Sequence, residues 1–180
     1  MPKLSVMQLL PALESGGVER GTLEIAEALV AAGHESLVVS GGGRLVRGLT
    51  AAGSEHVHMP VGQKSLRVLA CVGQLRQLIR NRQPDIVHAR SRLPAWVAWQ
   101  ALKPLQAAPA FVTTLHGLNS VSRYSGIMTR GERVIAVSES CRDYWLQHYR
   151  NLDAERVSVI NRGIDPVAFP YGYKPSGAWR

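Results

Sequence analysis

Apolar and polar positions in this chain follow two periods in turn. Apolar runs of about four to eight residues, the length of a buried strand, alternate with stretches whose apolar residues recur every three or four positions, as on one face of a helix. The first run is LSVMQL at residues 4–9, ended by Pro11. From Val18, apolar residues recur at Leu23, Ile25, Ala26, Leu29 and Val30, a broad helical stripe that Gly33 stops. ESLVVS (35–40) predicts a second strand, GGGRLVRGLTAAG (41–53) a turn and short helix, and SEHVHMPV (54–61) a third strand or an extended edge. Residues 65–82 place Leu66, Leu69, Val72, Leu75, Leu78 and Ile79 at helical spacing behind Ser65 as cap. PDIVHA (84–89) predicts a strand, LPAWVAWQALK (93–103) a helix and AFVTTLHG (110–117) a strand with a polar tip. ERVIAVS (132–138) is the next strand, ESCRDYWLQHY (139–149) a helix capped by Ser138, and ERVSVINRG (155–163) a last strand running into a turn.

Six or seven strands alternating with helices predict an α/β fold, a parallel sheet covered by helices on both faces. In such folds ligands bind beyond the carboxyl ends of the strands. Those ends carry Gly16 and Gly17, Gly41 to Gly43, His88 to Arg92, His116 and Gly117, Ser138 and Glu139, and Asn161 to Asp165. Polar and glycine residues collect along one rim, which burial alone does not require. After Asp165 the pattern lapses into PVAFPYGYKPSGAWR, with neither period. The expected organisation is one domain at 1–165 and a linker or docking tail at 166–180.

Composition narrows this picture. A chain of 180 residues with 46% hydrophobic and 19% charged positions suits one folded domain rather than a disordered segment. No apolar run approaches the roughly 20 residues of a membrane span, and no signal-peptide cleavage pattern is visible, so a cytoplasmic location is expected. Cys71 and Cys141 sit in apolar helical surroundings without zinc spacing, and read as buried reduced thiols. The net charge of +8 and pI near 10.1 favour anionic partners: phosphorylated ligands, acidic lipid surfaces or nucleic acid. Nucleic acid has only charge in its favour, since no binding motif or interleaved basic and aromatic stretch accompanies it. Many basic residues fall in the middle of the chain: Lys64, Arg67, Arg76, Arg80, Arg82, Arg90 and Arg92. They read either as a solvated face with a loop or as an anionic contact.

The candidate chemistry starts at the glycine turn ESGGVERG. Gly16 and Gly17, free to take positive φ, let a ligand approach the backbone, and free N–H groups at the start of the next helix attract an anion such as a diphosphate. The dinucleotide spacing G-x-G-x-x-G is not met, because Gly21 follows four residues behind Gly17. His116 closes TTLHG at a strand end, where a neutral imidazole can orient or polarise a substrate hydroxyl or, equally, satisfy a nearby carbonyl. His88, inside DIVHAR, reads as half-buried among its sheet neighbours. Arg90, Arg92 and Arg162 are either phosphate or carboxylate clamps or solvated side chains. Ser138 and Ser140 have no G-x-S-x-G elbow, neither cysteine has a histidine partner by motif, and the aspartates form no D-x-D pair. Transfer chemistry without metal or cofactor is the expectation.

Taken in order, GGVERGTLEIAEALVAAGHESLVVS, PDIVHARS, TTLHG, VIAVSES and VSVINRGIDPVAF resemble the N-terminal domain of glycosyltransferase family 4, retaining sugar-nucleotide enzymes of the GT-B fold. The likeness spans about residues 4 to 170. It implies a Rossmann-like domain that holds the acceptor and faces a second such domain, which holds most of the nucleotide-sugar donor and lies outside this chain. It further implies that Gly16 and Gly17 lie against the donor diphosphate and that Glu19 and Arg20 open the first helix at the cleft. His116 would then sit near the sugar and the acceptor hydroxyl as the catalytic residue, with Arg90, Ser138, Asn161 and Arg162 lining the rim. The family's reaction is explained by front-side attack, in which the leaving phosphate helps deprotonate the acceptor. Where the family has a turn like PNG[VI]D this chain has INRGID, with Ile160 in place of proline and Arg162 inserted before Gly163. Glu19 and Glu27 share the spacing of the family's E-x7-E motif, but that motif belongs to the second domain. The implied role is transfer to a glycan or glycolipid in lipopolysaccharide or other envelope assembly, with peripheral contact to an anionic inner membrane. A non-catalytic anion- or nucleotide-binding module of the same fold is the alternative.

Overall fold

The computed structural model describes residues 2–65, 67–164, 166 and 170–172. Seven strands form one sheet: β1 (Ser5–Leu9), β2 (Glu35–Ser40), β3 (Glu55–His58), β4 (Ile86–Ala89), β5 (Ala110–Leu115), β6 (Arg133–Ala136) and β7 (Val157–Val159). Every pairing is parallel and the order is β3-β2-β1-β4-β5-β6-β7. This is the Rossmann-like sheet, and the segment 54–61 resolves into an edge strand paired to β2. The expected tail at 166–180 lies almost wholly outside the described residues, as do Leu66 and Asp165.

Five helices fill the connections. On one face, α1 (Gly17–Ala31) and α2 (Val46–Ala51) close a small apolar cluster of Leu10, Leu13, Ala26, Val38 and Leu49. Gly33 ends the α1 segment at φ +80, a left-handed turn that a β-carbon would strain. On the other face, α3 (Arg67–Arg82), α4 (Arg92–Leu102) and α5 (Glu139–His148) build the larger core. There Cys71, Leu75 and Ile79 of α3, Val97 and Ala101 of α4, and Cys141 and Trp145 of α5 pack with Met7, Leu9, Val87, Ala89, Leu115, Val134 and Ala136 of the strands. Successive strand residues point to opposite faces, so the alternate set (Gln8, His88, Val112, Thr114) faces the α1 side.

Both cysteines are buried, as expected, and burial pushes both thiols up from their ordinary value. Segment 118–131 carried no sequence signal, yet it holds a 3₁₀ turn at Ser125–Thr129. Tertiary bonds fix that turn: Thr113 Oγ1 donates to the Met128 carbonyl at 2.6 Å, and Asn151 Nδ2 donates to Thr129 Oγ1 at 2.8 Å. The last strand is shorter than its apolar pattern. Ile160 N–H still donates to the Ala136 carbonyl at 2.9 Å, but residues 160–163 leave the sheet and turn across its carboxyl end.

Candidate active site

β1 and β4 are neighbours, yet the chain leaves them in opposite directions, through α1 to β2 and through α4 to β5. The divergence opens a crevice beyond their carboxyl ends, the topological switch point where open α/β sheets bind ligands. A cavity of about 160 Å³ lies there, with Gly21 and Glu24 of α1, His88 and Arg90 from β4 and its end, and Thr114 and His116 from β5 among its walls. The loop after β7 closes it with Asn161, Arg162 and Gly163.

Beneath the cavity runs a polar ladder. Gln8 is fully buried; its Nε2 donates to the Thr22 carbonyl of α1 at 3.3 Å and its Oε1 accepts from Arg90 Nη1 at 3.2 Å. Next to it in register, His88 holds Nε2 at 2.7 Å from Thr114 Oγ1. Burial, followed by the charge of Arg90 and then His116, lowers the His88 imidazole to about 3, so it is neutral at physiological pH. His116 is lowered to about 4 by burial, then by the charges of Arg90 and Arg162. Both of its ring nitrogens are screened from solvent and have no hydrogen-bond partner among the described residues. Buried polar atoms without partners are rare, and at a crevice they indicate a ligand that supplies the bond.

Arg90 is only 7% exposed, against the solvated reading, and its Nε has no partner. Burial is the first cause that lowers its guanidinium, to about 10, with the Arg162 charge second and Glu24 opposing. It stays protonated at neutral pH. His88 is fully enclosed rather than half-buried, because the Thr114 hydroxyl gives its ring a partner inside the sheet.

The glycine turn is built differently from expectation. Gly16 is the N-cap of α1 at φ −72 and ψ 169, and neither it nor Gly17 takes positive φ. These glycines serve through space. A β-carbon on Gly16 would collide with the Glu19 carboxylate, and one on Gly17 would lie 2.8 Å from Arg162 Nη1. Arg162 Nη2 donates to the Gly17 carbonyl, tying the loop after β7 to the start of α1. Glu19 thus folds over the helix N-terminus, where its charge is favoured.

Three cleft candidates, Glu19, Arg20 and Ser138, fall outside the cavity. Arg20 is exposed in the first turn of α1 and does not line it. Ser138 is the N-cap of α5, where its Oγ accepts from Cys141 N–H at 3.1 Å. Three residues that the sequence reading passed over belong to the site: Gln8, Thr114 and Gly21. For Gln8 and Thr114 the signal was parity, since Gln8, His88, Thr114 and His116 stand on strand positions that share one sheet face, whereas Gly21 lies on α1, outside that pattern.

The basic middle of the chain does not form one face. Arg76 donates to the carbonyls of Gln100 and Ala101, Arg82 pairs with Glu55, and Arg92 donates to Ser125 Oγ while lying over the Tyr124 ring. A wider groove of about 690 Å³ runs beside α4 past Trp96, Trp99, Lys103 and Arg130. Size alone would favour it. The crevice is the better site because unpartnered, convergent polar groups line it.

The sequence matches the model of Glycosyltransferase Family 4 over residues 15–167. The chain belongs to glycosyltransferase family 4. A glycosyltransferase from Rickettsia africae ESF-5 is similar at 36% identity and TM-score 0.80, over 97% of this chain and 47% of that one. Anabaena Alr3699/HepE in complex with UDP and glucose aligns at 19% identity and TM-score 0.72, over 90% and 45% of the two chains. The lipopolysaccharide outer core galactosyltransferase WaaB aligns at 13% identity and TM-score 0.65, over 89% and 46%. The last two show the fold alone. No curated protein sequence matches significantly. This family 4 domain therefore spans about half the length of the structures it matches, and its fold is the N-terminal half of the GT-B architecture. No helix among the described residues is long and apolar enough to cross a membrane.

Proposed function

We propose that this family 4 domain is the acceptor-binding half of a retaining hexosyltransferase, which moves a sugar from a nucleotide-sugar donor to a glycan or glycolipid acceptor. His116 carries the reading: a neutral imidazole with both nitrogens enclosed and unpartnered, set in the switch-point crevice between Arg90 and the loop after β7. One nitrogen accepts a hydrogen bond from the acceptor hydroxyl while the other donates to a sugar oxygen. An imidazole lowered to about 4 is a weak base at neutral pH, so it orients and polarises, and the proton passes to the departing phosphate. Gly16 and Gly17 hold the donor diphosphate through the first N–H groups of α1, with the helix dipole adding to the attraction.

A second Rossmann-like domain completes the cleft and reads the nucleotide, so the 180-residue chain alone is inactive or nearly so. UDP in the Anabaena neighbour supports a uridine nucleotide donor, and the likeness to a lipopolysaccharide galactosyltransferase supports a role in envelope glycans. The net charge of +8 supports a cytoplasmic domain that docks peripherally on anionic lipid. The test is amide NMR of the chain during titration with UDP and UDP-glucose. Saturable shifts at Gly16 and Gly17 that vanish in Gly17→Val are expected. Silence at both glycines, or identical titration of the variant, overturns the diphosphate assignment.

A further inference from the structure

The crevice holds more positive charge than a neutral sugar needs. Arg90 and Arg162 converge on Gly21, where a β-carbon would come within 2.8 Å of Arg162 Nη2 and 3.1 Å of Arg90 Nη2. Among the described residues neither guanidinium takes part in a salt bridge. Arg90 is nine-tenths buried with Nε unpartnered, and its one side-chain bond goes to the neutral amide of Gln8. Glu24 faces the same cavity and offsets part of the Arg90 charge without bonding to it. Two cations this close, one of them desolvated, repel each other unless an anion lies between them. Gly21 is what lets the two guanidinium groups approach each other over α1.

Size and position narrow the anion. A cavity of about 160 Å³ is well under the roughly 300 Å³ of the smallest drug-sized sites. The enclosed volume matches a single phosphate or carboxylate group. Gly21 lies four residues beyond Gly17, one turn or about 6 Å further along α1 and towards His116. From these observations we infer that Arg90 and Arg162 form an oxyanion subsite that is centred on Gly21, borders the Gly16–Gly17 turn through Arg162, and binds a phosphate or carboxylate carried by a substrate sugar. The inference rests on the glycosyltransferase reading and adds to it that one of the two sugars is acidic. Its planar, paired guanidinium donors suit bidentate recognition, so lysine is a poor substitute at either position.

Calorimetric and NMR titration of the 180-residue chain tests it, with glucose 6-phosphate and glucuronate as oxyanion-bearing probes and glucose as the neutral control. The acidic sugars should bind about tenfold or more tighter than glucose, shifting His116 and Gly21. Arg162→Gln, at an exposed position, and Arg90→Lys should each erase most of that preference while a cooperative thermal melt shows that the fold is kept. Competition identifies the source. Displacement of glucose 6-phosphate by UDP-glucuronate but not by UDP-glucose assigns the oxyanion to the donor sugar, and joint binding of glucose 6-phosphate with both nucleotides assigns it to the acceptor; either supports the subsite. Affinities within about twofold for acidic and neutral sugars, or variants that bind like wild type, overturn it. The parent reading fails separately, through UDP that leaves Gly16 and Gly17 unshifted.

Discussion

The two faces of the sheet are made by the same strands and do opposite work. Towards α3, α4 and α5 the strands offer Met7, Leu9, Val87, Ala89, Leu115, Val134 and Ala136, a dry core closed by Trp145. One residue over, towards α1, the central strands offer Gln8, His88 and Thr114, with Arg90 and His116 continuing the series past the strand ends. Close packing stabilises the first face. The second carries a neutral His88 bonded to Thr114, a neutral His116 and a buried Arg90 guanidinium, and the unpartnered nitrogens of the last two cost stability until a ligand meets them. A parallel sheet can therefore keep its fold and its chemistry on alternate residues of one strand, the packed face holding the reactive face rigid.

The contrast can be broken from the packed side first. Trp145→Ala removes a fully buried indole whose Nε1 donates to the Gly117 carbonyl at 3.0 Å, one residue from His116. A loss of about 4 kcal/mol in urea unfolding is expected, enough to leave the domain only marginally folded. His116→Ala should do the reverse. On the proposed function, transfer assayed together with a second Rossmann-like domain should fall by about a hundredfold or more, while the melting temperature stays level or rises, because a buried unpartnered group has been deleted. A variant that turns over like wild type removes His116 from the mechanism.

Acid sharpens the comparison next. His88 is held near 3 in the fold against an ordinary value of 6.5, so between those limits the unfolded chain binds more protons and stability falls as pH falls. From pH 7 to pH 5 this group alone should remove about 2 kcal/mol, measured by urea unfolding at the two pH values. His88→Gln, which keeps a partner for Thr114, should remove that share and leave the comparable loss due to His116, held near 4. The smallest effect concerns the carboxylate folded over the first helix. Glu19→Gln removes a negative charge competing for the α1 N-terminus, and UDP should bind about two- to fivefold tighter by calorimetry. Weaker binding would mean that Glu19 helps to hold the ligand.

Local periodicity determined a great deal by itself. Period-two and period-3.6 patterns depend on neighbours in sequence, so the strands, the five helices, the Gly33 stop and the Ser138 cap were all readable from residue order. So was the rim on which Gly16, Gly17, His116, Asn161 and Arg162 stand. The 3₁₀ turn at Ser125–Thr129 was not, because its bonds come from Thr113 and Asn151, distant in the chain. Nor was the inward turn of Arg90. Arginine in a loop reads as solvated until a buried amide from another strand, eighty-two positions away at Gln8, gives it a partner. Sequence chose which side chains alternate on each strand. Only the tertiary structure decided which strands adjoin, and so which charges share a cavity: β1 beside β4 puts Gln8 under Arg90, and the loop after β7 brings Arg162 back across α1 to Gly17 and Gly21. The strength of a buried charge depends on what surrounds it in space, and long-range pairing alone sets that.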